Sequence, residues 1–159
     1  MSSVEVPDDP LSTFSLSIFA VYGLLMRSGD DVTRPLGQSS ARWQVLGRAG
    51  YQPQTVAQMA HDMGHARQSV QRIADTLAKE GLVSYSDNPA DKRARLVALT
   101  AQGETVLAAI YARDQEYSRQ LMAELDPEQL VAIAAALEGI ARIFAAHMER
   151  RPTMKEHEE

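Results

Sequence analysis

Gly64-His65-Ala66-Arg67-Gln68-Ser69-Val70-Gln71-Arg72-Ile73-Ala74-Asp75-Thr76-Leu77-Ala78-Lys79-Glu80-Gly81 is the stretch on which the reading of this 159-residue chain turns. A helix is expected over Ala66 to Glu80, closed by Gly81 in the position where glycine favours a helix end. At 100° per residue, Gln68, Gln71, Arg72 and Asp75 fall within about 140° of Arg67, while Val70, Ile73, Ala74 and Leu77 fill the opposite arc. One face packs and the other offers arginine and glutamine. Those two side chains match the major-groove edges of guanine and adenine respectively. A polar helix face that is merely solvated is the plain alternative.

Working outward, Thr55–Met63 reads as a shorter helix with Val56, Met59 and Ala60 inward, and Gly64 turns the chain into the longer one. A short helix, a tight turn and a second helix form the arrangement that delivers side chains to a DNA groove. After Gly81, the β-type runs Leu82–Ser86 and Arg95–Leu99 flank a turn-rich Asp87–Arg93. Lys92, Arg93 and Arg95 crowd the tip of that hairpin, suited to phosphates or to a narrow minor groove. Asp91 is placed to hold the Arg93 guanidinium by a charge-assisted bond; the alternative is a surface ion pair worth about 0–1 kcal/mol.

Upstream, Leu11–Asp31 reads as a helix, with Phe14, Ile18, Val21, Tyr22 and Leu25 on one stripe and a break marked by Gly29, Pro35 and Gly37. A second helix is expected from Ser40 to Ala49, burying Val45 and Leu46, with Gly50 as its stop. Downstream, Thr100 caps a long helix carrying Val106, Ile110, Tyr117 and Leu121, and Asp126-Pro127 opens a last one. That last helix carries Leu130, Ile133, Leu137, Ile140, Phe144 and Met148. The near-heptad stripe points to pairing between chains, with ordinary packing inside one chain as the alternative.

The net charge is −5, which by itself argues against a nucleic-acid partner. Its distribution argues otherwise. Arg34 to Arg95 holds nine Lys/Arg against five Asp/Glu, and the remainder seven against sixteen, so a locally basic middle lies within an acidic chain. There is no cysteine, which excludes disulfides, thiolate metal sites and cysteine nucleophiles. Glu5, Asp8 and Asp9 stand where a signal peptide would carry basic residues, and uninterrupted apolar runs fall short of the roughly 18 residues a membrane span needs. A soluble, cytoplasmic protein with no membrane partner is the expectation. No nucleophile–base pair, carboxylate pair or phosphate loop marks an enzyme. His61 and His65 have a helical metal-ligand spacing, but Gly64 breaks the helix between them and no third ligand is near, so neither metal nor cofactor is expected.

The run Thr55-Val-Ala-Gln-Met-Ala, with Gly64-His-Ala-Arg-Gln-Ser-Val-Gln-Arg-Ile and Leu77-Ala-Lys-Glu-Gly-Leu-Val83, resembles the helix-turn-helix of the MarR (multiple antibiotic resistance regulator) family. Asn88-Pro-Ala-Asp-Lys-Arg-Ala-Arg-Leu-Val-Ala-Leu-Thr100-Ala-Gln-Gly103 resembles that family's wing and the start of the helix after it, and its Asp-x-Arg…Leu-Thr-x-x-Gly pattern is the more specific part. Arg42-Trp-Gln-Val-Leu46 resembles the helix before the motif, so the likeness runs from Leu11 to Met148.

The resemblance implies a mainly α fold with a small β-hairpin, a winged helix-turn-helix with N- and C-terminal dimerisation helices. It divides the chain into an arm at 1–10, a dimerisation helix at 11–35, the winged DNA-binding region at 36–100, further dimerisation helices at 101–149 and a charged tail at 150–159. It implies a homodimer on double-stranded DNA, usually a repressor at a pseudo-palindromic site. Gln68, Ser69, Gln71 and Arg72 match the recognition-helix positions, and Arg93 matches the wing-tip arginine supported by Asp91. Ala66 stands where the family usually has a capping serine, leaving His65 or a phosphate to satisfy the first amides.

The missing cysteine excludes the thiol-based peroxide sensing of one branch of the family. The resemblance also implies a cleft for a small aromatic effector, for which Tyr22, Met26, Arg42, Trp43 and Tyr51 are the candidates. For Trp43 the plainer reading is a core aromatic of the second helix. A winged-helix module that binds other proteins, its basic residues incidental, stands as the competing function.

Overall fold

The computed structural model describes residues 9–150. The chain divides into two compact units, Met1–Tyr117 and Ser118–Glu159. The expected arm and charged tail lie outside the described residues except at their inner ends: Asp9 and Pro10 begin the first helix, and Arg150 ends the last.

In the first unit α1 runs Pro10–Thr33, with Asp9 as N-cap accepting from the amides of Leu11 and Ser12. Proline at its first position is pre-set for a helix and lacks only an amide that would be unpaired there. The helix continues through Gly29, where a break was expected. Gly29 is buried because Ser40 packs over it; an added Cβ would lie 2.4 Å from the Ser40 hydroxyl. A 3-10 turn at Arg34–Leu36 follows, closed by Gly37 at φ 66°.

Next, α2 runs Ser40–Tyr51, capped by the Ser39 hydroxyl on the Arg42 amide. It passes through Gly50, the expected stop. A Cβ there would come within 2.9 Å of both Leu99 and Leu107, so the glycine makes room for their side chains. A two-residue strand, β1 (Gln54–Thr55), leads into α3 (Val56–Met63). Thr55 and Gln58 form a reciprocal capping box there.

The chain leaves α3 at Gly64 (φ 64°), with the His65 amide on the Ala60 carbonyl and the Gly64 amide on that of His61. Then comes α4, Arg67–Lys79, which Gly81 (φ 75°) ends in the same way, with Leu82 bonding back to Leu77. Both glycines occupy the left-handed region that a Cβ disfavours.

Strands β2 (Val83–Ser86) and β3 (Leu96–Leu99) pair antiparallel from Val83↔Leu99 to Ser86↔Leu96. β1 joins the other edge of β3 through Gln54↔Val97 and Thr55↔Leu96, giving the order β1-β3-β2. The expected hairpin is therefore a three-stranded sheet. The winged helix-turn-helix fold holds.

One apolar core serves this unit. Leu46 of α2, Met59 of α3, Val70 and Leu77 of α4, Val97 of β3 and Ile110 of α5 (Ala101–Met122) are fully buried in it. Thr100 joins wing to helix: its hydroxyl donates to the Gly81 carbonyl and accepts from the Gly103 amide, the N-cap that was expected. Arg113 of α5 donates to the Val32 carbonyl at the end of α1.

The second unit comprises, among its described residues, the end of α5 and α6 (Pro127–Arg150). Asp126 accepts the Glu128 amide through its side chain and the Leu130 amide through its carbonyl, opening α6 as the sequence suggested. No residue of α6 is buried. Val131, Ile143 and Met148 are each about 70% exposed, and on α1 so is Phe19, at 69%. By length and mean hydropathy (1.3 for Pro10–Leu36 and 1.6 for Pro127–Arg150) both segments suffice to cross a bilayer, which the count of uninterrupted apolar runs did not anticipate. Helices that bury an apolar stripe against other protein pass the same test.

Candidate nucleic-acid interface

The α4 helix stands on the core through Val70, Ala74 and Leu77 and turns its other face outward. Arg67, Gln68, Ser69 and Arg72 are exposed on that face. Ala66, at the N-cap, supplies no side-chain bond to the first turn. His65 does not substitute for it, because its ring Nε2 lies 3.2 Å from Gln44 Oε1 on α2. The start of α4 therefore presents unpaired donors and the positive end of a helix dipole on the same side as Arg67.

Gln71 differs from its neighbours. It is half-buried, and its Nε2 donates at 2.9 Å both to Asp75 Oδ1, one turn along, and to the Tyr85 hydroxyl of β2. The Tyr85 hydroxyl in turn donates to Asp75 Oδ1 at 2.8 Å. In the protein alone Gln71 is thus turned toward Asp75 and Tyr85, unlike the exposed Gln68, Ser69 and Arg72 read with it as base-facing side chains. Tyr85 itself escaped sequence reasoning, and only its alternation within a short strand could have pointed it toward α4.

In the wing, Asn88 Oδ1 accepts the Ala90 amide and Asp91 Oδ1 accepts the Arg93 amide, two side-chain-closed turns that bend the loop between β2 and β3. The expected Asp91–Arg93 ion pair is absent; Asp91 fixes the backbone that carries Arg93. Lys92 and Arg93 are exposed, and among the described residues neither forms a salt bridge. Arg95 is exposed but tied back onto the hairpin. Its guanidinium donates to the Tyr85 carbonyl at 2.8 Å and lies 5.2 Å from the centre of the Tyr85 ring, so it stitches the hairpin.

Helix and wing face one another across a pocket of about 210 Å³ lined by Arg67, Gln71, Tyr85, Arg93 and Arg95 together with the start of α3. Three guanidinium groups thus border one recess at the helix–wing junction. The phenol of Tyr85 within it is pushed up to about 12, first by burial and then by the bond to Asp75.

The five effector candidates do not converge on one cavity. Tyr22 is 46% exposed on α1. Met26 Sδ accepts from the Ser40 hydroxyl and the Gln44 amide. Arg42 is locked in a two-pronged ion pair with Glu80 and a bond to Gln38, and the Arg42 hydrogen bond holds the Glu80 carboxyl below its ordinary range. Trp43 packs against the core and meets Tyr111 edge to face at 6.3 Å, the core position that was its alternative reading. Tyr51 borders an open pocket of about 460 Å³, with Pro53, Leu99, Glu104, Leu107 and Tyr111, and Arg42 borders a separate one of about 280 Å³ beside Ser69, Arg72, Ile73 and Thr76 of α4.

Comparison with known proteins agrees with this architecture. A family model described as the MarR family matches residues 36–94. An uncharacterised protein of Mycobacterium tuberculosis is 34% identical over 144 residues, 91% of this chain and 99% of that protein.

Among solved structures, a transcriptional regulator (MarR family) from Rhodococcus sp. RHA1 aligns with a TM-score of 0.74 at 20% identity, covering 85% of this chain and 96% of that one. AbsC, a MarR family transcriptional regulator from Streptomyces coelicolor, gives 0.73 at 16% identity, covering 91% and 99%. CouR from Rhodococcus jostii RHA1, bound to p-coumaroyl-CoA, gives 0.71 at 23% identity, covering 87% and 96%. At these identities the solved structures speak for the fold.

Proposed function

The chain belongs to the MarR family, and on that premise we propose that it is a homodimeric, sequence-specific DNA-binding transcription regulator. It acts as a ligand-responsive repressor at a pseudo-palindromic operator. The observation that carries the proposal is the shared recess: the basic face of α4 and the wing arginine open on one side of the protein, bordered by Arg67, Arg93 and Arg95. In this reading α4 enters the major groove with Arg67, Gln68, Ser69 and Arg72, while Lys92 and Arg93 of the wing follow the strand into the adjacent minor groove. The local positive charge approaches phosphate although the whole chain is acidic.

The homodimer rests on the uncovered apolar surface of α1 and α6. Faces carrying Phe19, Leu25, Val131 and Ile143 in the open need a partner, and a second copy supplies the two-fold symmetry that paired half-sites require. A small aromatic effector is in keeping with the p-coumaroyl-CoA of CouR and with the salicylate of a Staphylococcus aureus MarR structure. Of the sequence candidates, Tyr51 borders a recess of about 460 Å³ that has room for such a molecule. A cytoplasmic location follows from a DNA partner.

The test is binding of the purified protein to duplexes from the region flanking its own gene, titrated with salt and repeated with small aromatic acids. A steep fall of affinity with salt, and protection of two half-sites about one helical turn (~34–36 Å) apart, support the reading. Salt-independent behaviour, or no binding to any duplex, would favour the protein-interaction module instead.

A further inference from the structure

The geometry points to Tyr85 as a positioning residue that clamps the wing to the recognition helix through Gln71 and Asp75, and so holds the Gln71 amide off the base edges. This rests on the DNA-binding reading above and assigns the specificity within it. Three bonds close a small ring: Gln71 Nε2 to Asp75 Oδ1, Gln71 Nε2 to the Tyr85 hydroxyl, and the Tyr85 hydroxyl to Asp75 Oδ1, all at 2.8–2.9 Å. Gln71 and Asp75 sit one turn apart on α4, whereas Tyr85 comes from β2, so the ring ties helix to strand. Arg95 then holds Tyr85 from the other strand side, by its bond to the Tyr85 carbonyl and its place over the ring.

The bookkeeping of donors makes the consequence specific. Glutamine reads adenine by giving one amide hydrogen to N7 while its carbonyl accepts from N6. The clamp sets the Gln71 amide nitrogen against two acceptors that lie 2.8 Å apart, so its N–H group is engaged there rather than held out to the groove. Turning the Gln71 amide to a base edge therefore means giving up its bonds to Asp75 and Tyr85. The side chains left exposed on the same face are Arg67, Gln68, Ser69 and Arg72, and base preference falls to them.

What the clamp supplies is a fixed spacing between two elements that must enter adjacent grooves together. A wing ordered in advance loses less freedom on binding than one that must be ordered on the DNA.

The test uses the full-length protein, a duplex selected by the wild type from a random library, and a scrambled duplex. Tyr85→Phe removes only the hydroxyl and keeps the ring under Arg95. It should lower the ratio of specific to scrambled affinity about three- to tenfold, the weight of one or two hydrogen bonds, with the salt slope unchanged. Gln71→Ala should lower it by a similar factor, and the double variant by no more than either single, since both break one ring.

Carbon-13 labelling at the tyrosine ring gives an independent reading. The Tyr85 signal should titrate near 12 in the wild type and lower in Asp75→Asn.

If Tyr85→Phe keeps the wild-type ratio while Gln71→Ala relaxes preference at a single base pair, the clamp is overturned and Gln71 is a base reader, with DNA binding intact. If the wild type binds no duplex in a salt-dependent way, both the clamp's role and the function proposed above fall.

Discussion

Asp91 Oδ1 accepts the backbone amide of Arg93 at 2.9 Å, so the aspartate secures the arginine through the main chain and leaves its guanidinium free. An asparagine side chain closes the same turn. Asp91→Asn is therefore expected to keep DNA affinity within about twofold of wild type, whereas Asp91→Ala loosens the turn and weakens it. Arg93→Ala should reduce the salt slope by about one and flatten any preference for narrow A·T minor grooves. Fluorescence anisotropy at several salt concentrations separates the three. An Asp91→Asn protein as weak as Arg93→Ala would restore the ion-pair reading.

Ala66 is a second place where one side chain decides. Its backbone is extended (φ −63°, ψ 130°), the conformation of an N-cap, but it offers no acceptor to the first turn of α4. Ala66→Ser should therefore stabilise the protein by about 0.5–1 kcal/mol. Urea unfolding at fixed protein concentration measures this, and an unchanged midpoint would mean that the first amides are already satisfied.

Gly103 should tolerate no side chain. On an open helix face, glycine to alanine gains about 1 kcal/mol. Here the added Cβ would fall 1.9 Å from the Leu82 carbonyl oxygen, a backbone atom already bonded to the Thr100 amide. Gly103→Ala is expected to destabilise by about 1–3 kcal/mol or more, read as a fall in the urea midpoint. A neutral or stabilising result would contradict the close seating of α5 on the turn between α4 and β2.

Arg42 and Glu80 predict a pH dependence. The Arg42 hydrogen bond lowers the Glu80 carboxyl from its ordinary 4.5. A depressed carboxylate stabilises the fold above its ordinary value, and the contribution is lost as pH falls through the depressed one. Because Glu80 is 44% exposed, the pair is worth no more than about 1 kcal/mol after solvent screening. Wild type should exceed Glu80→Gln in urea stability at pH 7, and the gap should close below about pH 4.5. A gap that persists unchanged at pH 3 would place its origin elsewhere.

The helix-turn-helix could be read directly from the chain because its signals are local. Val70, Ala74 and Leu77 recur at helical spacing, and Gly64 and Gly81 mark the two ends by left-handed backbone. What escaped was long-range. β1 is two residues long, too short for alternation, and exists only because Val97 and Leu96 lie beside it. Gly50 and Gly29 looked like helix stops, but each makes room for side chains from another element.

At the interface, helical spacing placed Arg67, Gln68 and Arg72 on one polar face, and the family resemblance added Ser69. Neither could show that Gln71 and Arg95 spend their donors inside the protein, since Tyr85 reaches them only through the tertiary fold. The surroundings of the effector candidates were hidden for the same reason: Arg42 carries a guanidinium that suits a pocket, yet its partner Glu80 lies far along the chain.

The most direct test of the central claim is a salt titration of duplex binding by the wild type beside a variant in which Arg67, Arg72 and Arg93 are all alanine. The account predicts a steep linear fall of log affinity with log salt for the wild type, at about −0.9 per phosphate contact, and a slope reduced by roughly two to three in the variant. Equal slopes for the two proteins would show that the α4 and wing arginines do not meet DNA.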